Sequence, residues 1–255
     1  WQIGWLAVAG VLFIGTMAAL WLKNKPADYG QHPDGIDPEK AKAMAEASVK
    51  KVSRVYRTTE TWSIQEAVRT RTLWLILLAY ASYSVVLSFI VAHGVLHITD
   101  LGYTRMQAAY ALGFLVLSSG FARLPLGFLA DYIEPRYILI AIMILCSCAV
   151  WGFWKAPTLA IVIGSTCVYG FCMGSGTVLQ PTLVGNYFGP PAFANINGLM
   201  VPFSVCLGAS ATLGSGYVHD FMKSYDLVLA IILTLNVVSV FGLFFAPPPK
   251  KTVET

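Results

Sequence analysis

Seven stretches of this chain are long and apolar enough to cross a hydrocarbon layer: about 1–22, 73–98, 107–130, 137–154, 158–179, 199–218 and 227–246. A helix rising 1.5 Å per residue needs roughly 20 such residues to span a core of about 30 Å. None of the seven alternates polar and apolar residues as a strand of a transmembrane barrel does. The fold class expected is therefore an all-α membrane protein with seven transmembrane helices. Composition agrees, because 56% hydrophobic residues against 12% charged ones, at a mean hydropathy of +0.66, would not keep a soluble domain in solution. The fourth stretch is the shortest and the second the longest, so the second is expected to tilt or bend.

Orientation follows from the cations in the loops. Of the 17 Lys and Arg, thirteen fall in 23–72, 131–136 and 247–255, whereas Arg105, Lys155 and Lys223 alone occupy the opposite loops. Positive residues stay on the cytoplasmic side. The long loop and the C-terminus are thus expected to be cytoplasmic, with Trp1 outside and the plasma (inner) membrane as the location. The net charge of +4 reports this asymmetry and gives no support to a nucleic-acid partner. Within the long loop, Asp37 and Pro38 open a basic helix expected over about 38–56. Ser63-Ile-Gln-Glu66 has the capping-box pattern for a short interfacial helix, with Trp62 expected at headgroup level.

Cys146, Cys148, Cys167, Cys172 and Cys206 all lie in apolar stretches and are read as small buried hydrophobes. Cys146 and Cys148, two apart on a helix, point to different faces, which argues against a metal clip. No metal and no cofactor is expected, and no nucleophile elbow or phosphate loop supports an enzyme.

Arg123 is the one Asp, Glu, Lys or Arg inside the seven stretches. Eight residues before Asp131, it sits about 12 Å inside the membrane. A central arginine costs ~2.5–3.5 kcal/mol on insertion scales, so it must face protein or water. Its planar fork suits a carboxylate. Tyr80, Tyr83 and Ser84, at i, i+3 and i+4, form a second candidate cavity-lining set. His93, close to the outer end of the same stretch, is a candidate proton relay or a hydrogen-bonded structural histidine.

Gly127-Phe-Leu-Ala-Asp131, followed by Pro135-Arg136, resembles the signature loop of the major facilitator superfamily, in the copy found in the second half of such transporters. KPADYGQHPDG after the first stretch, HGVLHITDLGY from His93 and GNYFGPPAFANINGL between the fifth and sixth stretches resemble its monocarboxylate-transporter and oxalate/formate-antiporter branch. The resemblance implies that 1–22 is the last helix of an N-terminal half whose remainder is missing. It makes 23–72 the central cytoplasmic loop, 73–246 the six-helix C-terminal bundle and 247–255 a cytoplasmic tail. It also implies a cytoplasmic gate built on Gly127, Asp131 and Arg136, in which Arg136 pairs with Asp131 or another carboxylate. Tyr132, Glu134 and Pro135 depart from the usual basic, glycine and basic residues, which weakens the gate as a charge relay.

By the same resemblance Arg123 stands where the branch places its carboxylate-binding arginine. Ser119, one turn earlier, replaces the acid of monocarboxylate transporters, and the sixth stretch lacks the lysine of oxalate transporters. Both departures weigh against proton coupling through that acid and against two-cation dicarboxylate binding. The function expected is the C-terminal part of a secondary transporter for a small organic anion, a monocarboxylate first, with a proton or counter-anion as coupled partner. A seven-span receptor without transport is the alternative. Its seventh span would carry no lysine for retinal, and the transporter-like turn has no place in it.

Overall fold

The computed structural model of the chain describes residues 2–20 and 55–251. The chain divides into two units, 1–53 and 54–255. The described part of the first is helix α1 (Gln2–Ala19), apolar over Ile3–Ala19 and shorter than the other apolar helices. The basic helix expected over 38–56 lies almost wholly outside the described residues; Val55 and Tyr56, which are described, are not helical.

In the second unit every regular element among the described residues is an α-helix: α2 (Ile64–Val68), α3 (Arg71–Asp100), α4 (Arg105–Ala130), α5 (Pro135–Trp154), α6 (Leu159–Phe188), α7 (Pro190–Met222) and α8 (Asp226–Phe244). The last six are each long and apolar enough to cross a membrane. Their starts are written locally. Thr70, Thr104 and Thr158 accept from the backbone N–H groups of Leu73, Gln107 and Ile161, groups that a first turn leaves without partners. The Ser63 box closes as its spacing predicts: the Ser63 N–H donates to Glu66 Oε2 at 2.7 Å and the Glu66 N–H to Ser63 Oγ at 3.2 Å.

Two expectations need correction. Residues 180–198 are not a loop, because α6 continues to Phe188 and α7 starts at Pro190. Hydropathy measures only the apolar length of a helix. Here Leu183, Val184, Tyr187 and Phe188 are buried against protein, so the helix runs on past its most apolar part and past Pro181. Gly189 alone breaks it, at φ +79°, a conformation that L side chains rarely adopt. In consequence α7, at 33 residues, is the longest helix among the described residues and α3, at 30, is not. Trp62, expected at headgroup level, packs edge-on against Phe188 there, with ring centroids 5.5 Å apart, and is buried by protein.

The bundle is held by close helix pairs, α4 on α6 and α3 on α7, with α5 and α8 supporting them. On α4 the buried residues Ala108, Ala111, Leu115, Ser119, Ala122, Leu126 and Ala130 recur every three or four positions, one narrow stripe of mostly small side chains. Gly170 and Gly174 of α6 meet the backbone carbonyls of Leu115 and Ser119 there. Buried Asn236 of α8 ties three helices together: its Oδ1 accepts from Ser82 Oγ at 3.1 Å, and its Nδ2 donates to Met143 O at 3.1 Å and Ser147 Oγ at 2.8 Å. Each such bond in a membrane protein is worth about 0.6 kcal/mol.

Where α3 begins, Lys251 Nζ lies 2.8 Å from Glu66 Oε1, and the Thr72 hydroxyl donates to Pro247 O at 2.9 Å, so the segment after α8 is strapped to α2 and α3. The hydrogen bond from Lys251, reinforced by those from Ser63, holds the Glu66 carboxyl down at about 2. A depressed carboxyl pKa stabilises the strap at pH values above its ordinary range and loses that contribution as pH falls through the folded value. The carboxyl of Glu66 is therefore expected to stay ionised at pH 3 and to titrate near 2. In Lys251→Gln its carbon-13 titration should move up towards the ordinary carboxylate range; an unmoved curve would dissociate the strap from the shift.

Candidate functional site

Arg123 is carried on α4 beside the buried stripe, on the solvent- or lipid-accessible side. It makes no ion pair and no hydrogen bond among the described residues. Leu112, about three turns earlier on the same side of α4, packs towards Gly94 of α3. Arg123 thus borders the α3 side of α4.

The four polar residues predicted around it are spread over the helix contacts. Tyr80 is buried, with its hydroxyl 3.4 Å from Asn197 Oδ1 of α7. Tyr83 donates a short hydrogen bond to Met173 O of α6, and its ring lies over Gly176, where an added Cβ would come within 2.6 Å of Cε2. Ser84 faces Gly208 of α7, an added Cβ there lying 2.7 Å from Oγ. Ser119 is buried on the α6 side of α4, and its hydroxyl has no partner among the described residues. Tyr80, Tyr83 and Ser84 therefore span the α3–α6–α7 junction. Asn197, which opens the sixth apolar stretch in the sequence, was not among the candidate site residues; its contact with Tyr80 depends on how α3 and α7 pack.

His93 has both ring nitrogens engaged, Nδ1 with Tyr225 Oη at 3.1 Å and Nε2 with Thr212 O at 3.0 Å. A carbonyl only accepts, so Nε2 carries a proton and the neutral ring satisfies both contacts, Nδ1 accepting from the tyrosine. These contacts make His93 a link between α3, α7 and the start of α8. His97 and His219 gather at the same tyrosine, with centroid separations of 5.9 and 4.3 Å, and His219 Nε2 is 3.0 Å from Asp100 Oδ2. Among the described residues no cluster of His, Cys, Asp and Glu fits a metal ion.

At the opposite end, the turn between α4 and α5 differs from expectation. Asp131 caps the C-terminus of α4, where the helix dipole disfavours an anion. Its partner is Arg57, with Nη2 3.6 Å from Oδ1, and not Arg136. The Arg136 guanidinium lies 4.8 Å from the Tyr137 ring and donates to its hydroxyl at 2.9 Å, because Pro135 starts a new helix and turns Arg136 away from the α4 terminus. Gly127 meets Val178 of α6. Around Arg57 the chain is fixed by the Tyr56 N–H donating to Glu134 Oε2 and the Thr58 N–H to Asn186 O, both at 2.8 Å. Arg57 itself lay beyond the motif, and sequence spacing carries no signal for a contact across this distance.

Both members of the Arg57–Asp131 pair are about two-thirds exposed, so the pair adds only ~0–1 kcal/mol to stability. If it works as a gate, Asp131→Asn is expected to leave the melting temperature within a few degrees of wild type and to slow turnover in transport. Unchanged turnover would remove the gating role, and a large melting shift would make the contact structural.

Compared with known families, the model described as Major Facilitator Superfamily matches residues 1–213. Among curated proteins none matches the chain.

Proposed function

Since the chain belongs to the Major Facilitator Superfamily, whose members are membrane transporters, we propose that it serves the transport of a small monocarboxylate that binds Arg123. The observation carrying this reading is the one cation of the apolar stretches, exposed on the α3 side of α4 with no counter-charge among the described residues. An arginine so placed is stabilised when an anion arrives, and its fork receives both oxygens of a carboxylate. Tyr80, Tyr83 and Ser84 would line the approach. Ser119 would set its length from beneath, with Asn197 added to the set. Among the described residues Arg123 is the one cation of the apolar stretches, which favours one carboxylate over two.

The packing supports a moving partner for this face. In α4 and α7 only 22% of the most apolar stretch is buried, against 44–56% in the other four spanning helices. Gly113 and Gly120 of α4 and Gly198 and Gly214 of α7 have nothing against them among the described residues. Such surfaces let helices approach closely, and rocking of a second bundle against them around a midplane site is how alternating access works. In this reading α3–α8 form the C-terminal bundle, the α4–α5 turn lies on the cytoplasmic side, and the coupled species is a proton or a counter-anion.

Binding of a panel of short monocarboxylates, dicarboxylates and the matching amides to the purified protein tests the proposal. The monocarboxylates are expected to bind best, and the amides at least tenfold more weakly because they lose the charge-assisted bond. Equal binding of acid and amide would overturn it.

A further inference from the structure

We propose that the cleft between α2, the start of α3 and the segment after α8 binds the headgroup of a multiply charged anionic phospholipid. The cleft has a volume of ≈ 830 Å³ and is lined by Trp62, Glu66, Arg69, Arg71, Lys250 and Lys251 among others. That volume suits a headgroup with its phosphates rather than a single small ion. Four cations face one carboxylate, which leaves three positive charges, and Glu66 is already committed to Lys251. Arg69, Arg71 and Lys250 are exposed and make no ion pair among the described residues. The walls are rigid, because Thr72 holds Pro247, Lys251 holds Glu66, and the Lys251 ammonium lies 5.6 Å from the Trp62 ring. Like cations are thus kept together with no counter-charge beyond Glu66 among the described residues, an arrangement that an anion stabilises.

Position selects a lipid over a soluble phosphate. The cleft opens at the first turn of a membrane-spanning helix, on the end where the chain concentrates its cations. Trp74, exposed on that turn with its indole N–H donating to Val68 O at 2.8 Å, is placed as interfacial tryptophans are. Basic pockets at this level take anionic headgroups, and each cation close to an anionic surface contributes about fivefold in affinity. The site does not depend on what Arg123 binds.

The test is calorimetric titration of the purified chain in an uncharged detergent with cardiolipin, and separately with inorganic pyrophosphate. Binding of cardiolipin is expected to weaken about thirtyfold in Arg69→Gln/Arg71→Gln, about fivefold in Lys250→Gln, and not at all in Lys223→Gln at the opposite end. All four positions take a polar side chain, and unchanged melting of the variants separates lost binding from lost folding. Equal affinity of wild type and the double variant would overturn the site. Pyrophosphate binding as tightly as cardiolipin would overturn the lipid as its occupant.

Discussion

Arg123→Lys is expected to weaken carboxylate binding by one to two decades while leaving the melting temperature unchanged. The lysine keeps the charge and loses the fork: one ammonium cannot make two parallel bonds to a carboxylate, and its tighter hydration must be stripped on binding. A charge-assisted hydrogen bond is worth ~1.5–3 kcal/mol, which gives the expected factor. Stability should not follow, because Arg123 makes no ion pair and no hydrogen bond among the described residues whose loss would loosen the bundle. Affinity and melting measured on the same preparation separate the roles. Normal affinity with a lowered melting temperature would make Arg123 a helix tie and remove the substrate anchor.

The second large effect is structural. Gly174→Ala is expected to destabilise the bundle by about 3 kcal/mol or more, at or beyond the upper end of ordinary overpacking. The added methyl falls inside the Ser119 carbonyl, and a backbone carbonyl, unlike a side chain, cannot rotate away. Relief requires α4 and α6 to separate along the most extensive helix contact of the unit. Gly170→Ala meets the carbonyl of Leu115 and should behave alike. By contrast, Gly113→Ala and Gly120→Ala, with open space around them, should unfold like wild type or up to ~1 kcal/mol later, because alanine is the better helix former. Unfolding in graded sodium dodecyl sulfate reads the difference. A Gly174→Ala protein as stable as Gly120→Ala would mean that the two helices do not lie this close.

What the sequence by itself determined is what depends on local chemistry. Apolar length placed six spanning helices within a few residues at most of their ends, except where α6 and α7 run on beyond it, and the one charge inside those stretches marked Arg123. The Ser63 box and the threonine caps form as their spacing requires, since they involve residues three positions apart. The turn motif at Gly127 and Asp131 pointed to the family before any contact was known.

What only the tertiary structure decided is what depends on which helices become neighbours. Hydropathy along one helix is nearly the same on a face packed against protein and on a face left open, so the burial of Ser119, and the exposure of Arg123 one turn later, could not be separated in the chain. Tyr80, Tyr83 and Ser84 share a spacing, yet their partners, Asn197, Met173 and Gly208, lie on two other helices. His93 meets Tyr225 and Thr212, partners that no spacing along its own helix foretells. Asp131 found Arg57 and not the nearby Arg136, because a proline between them starts a new helix and long-range packing brings the loop back. The cationic cleft exists for the same reason: residues 66–71 and 250–251 are far apart in the chain, and only the return of α8 beside α3 gathers their charges.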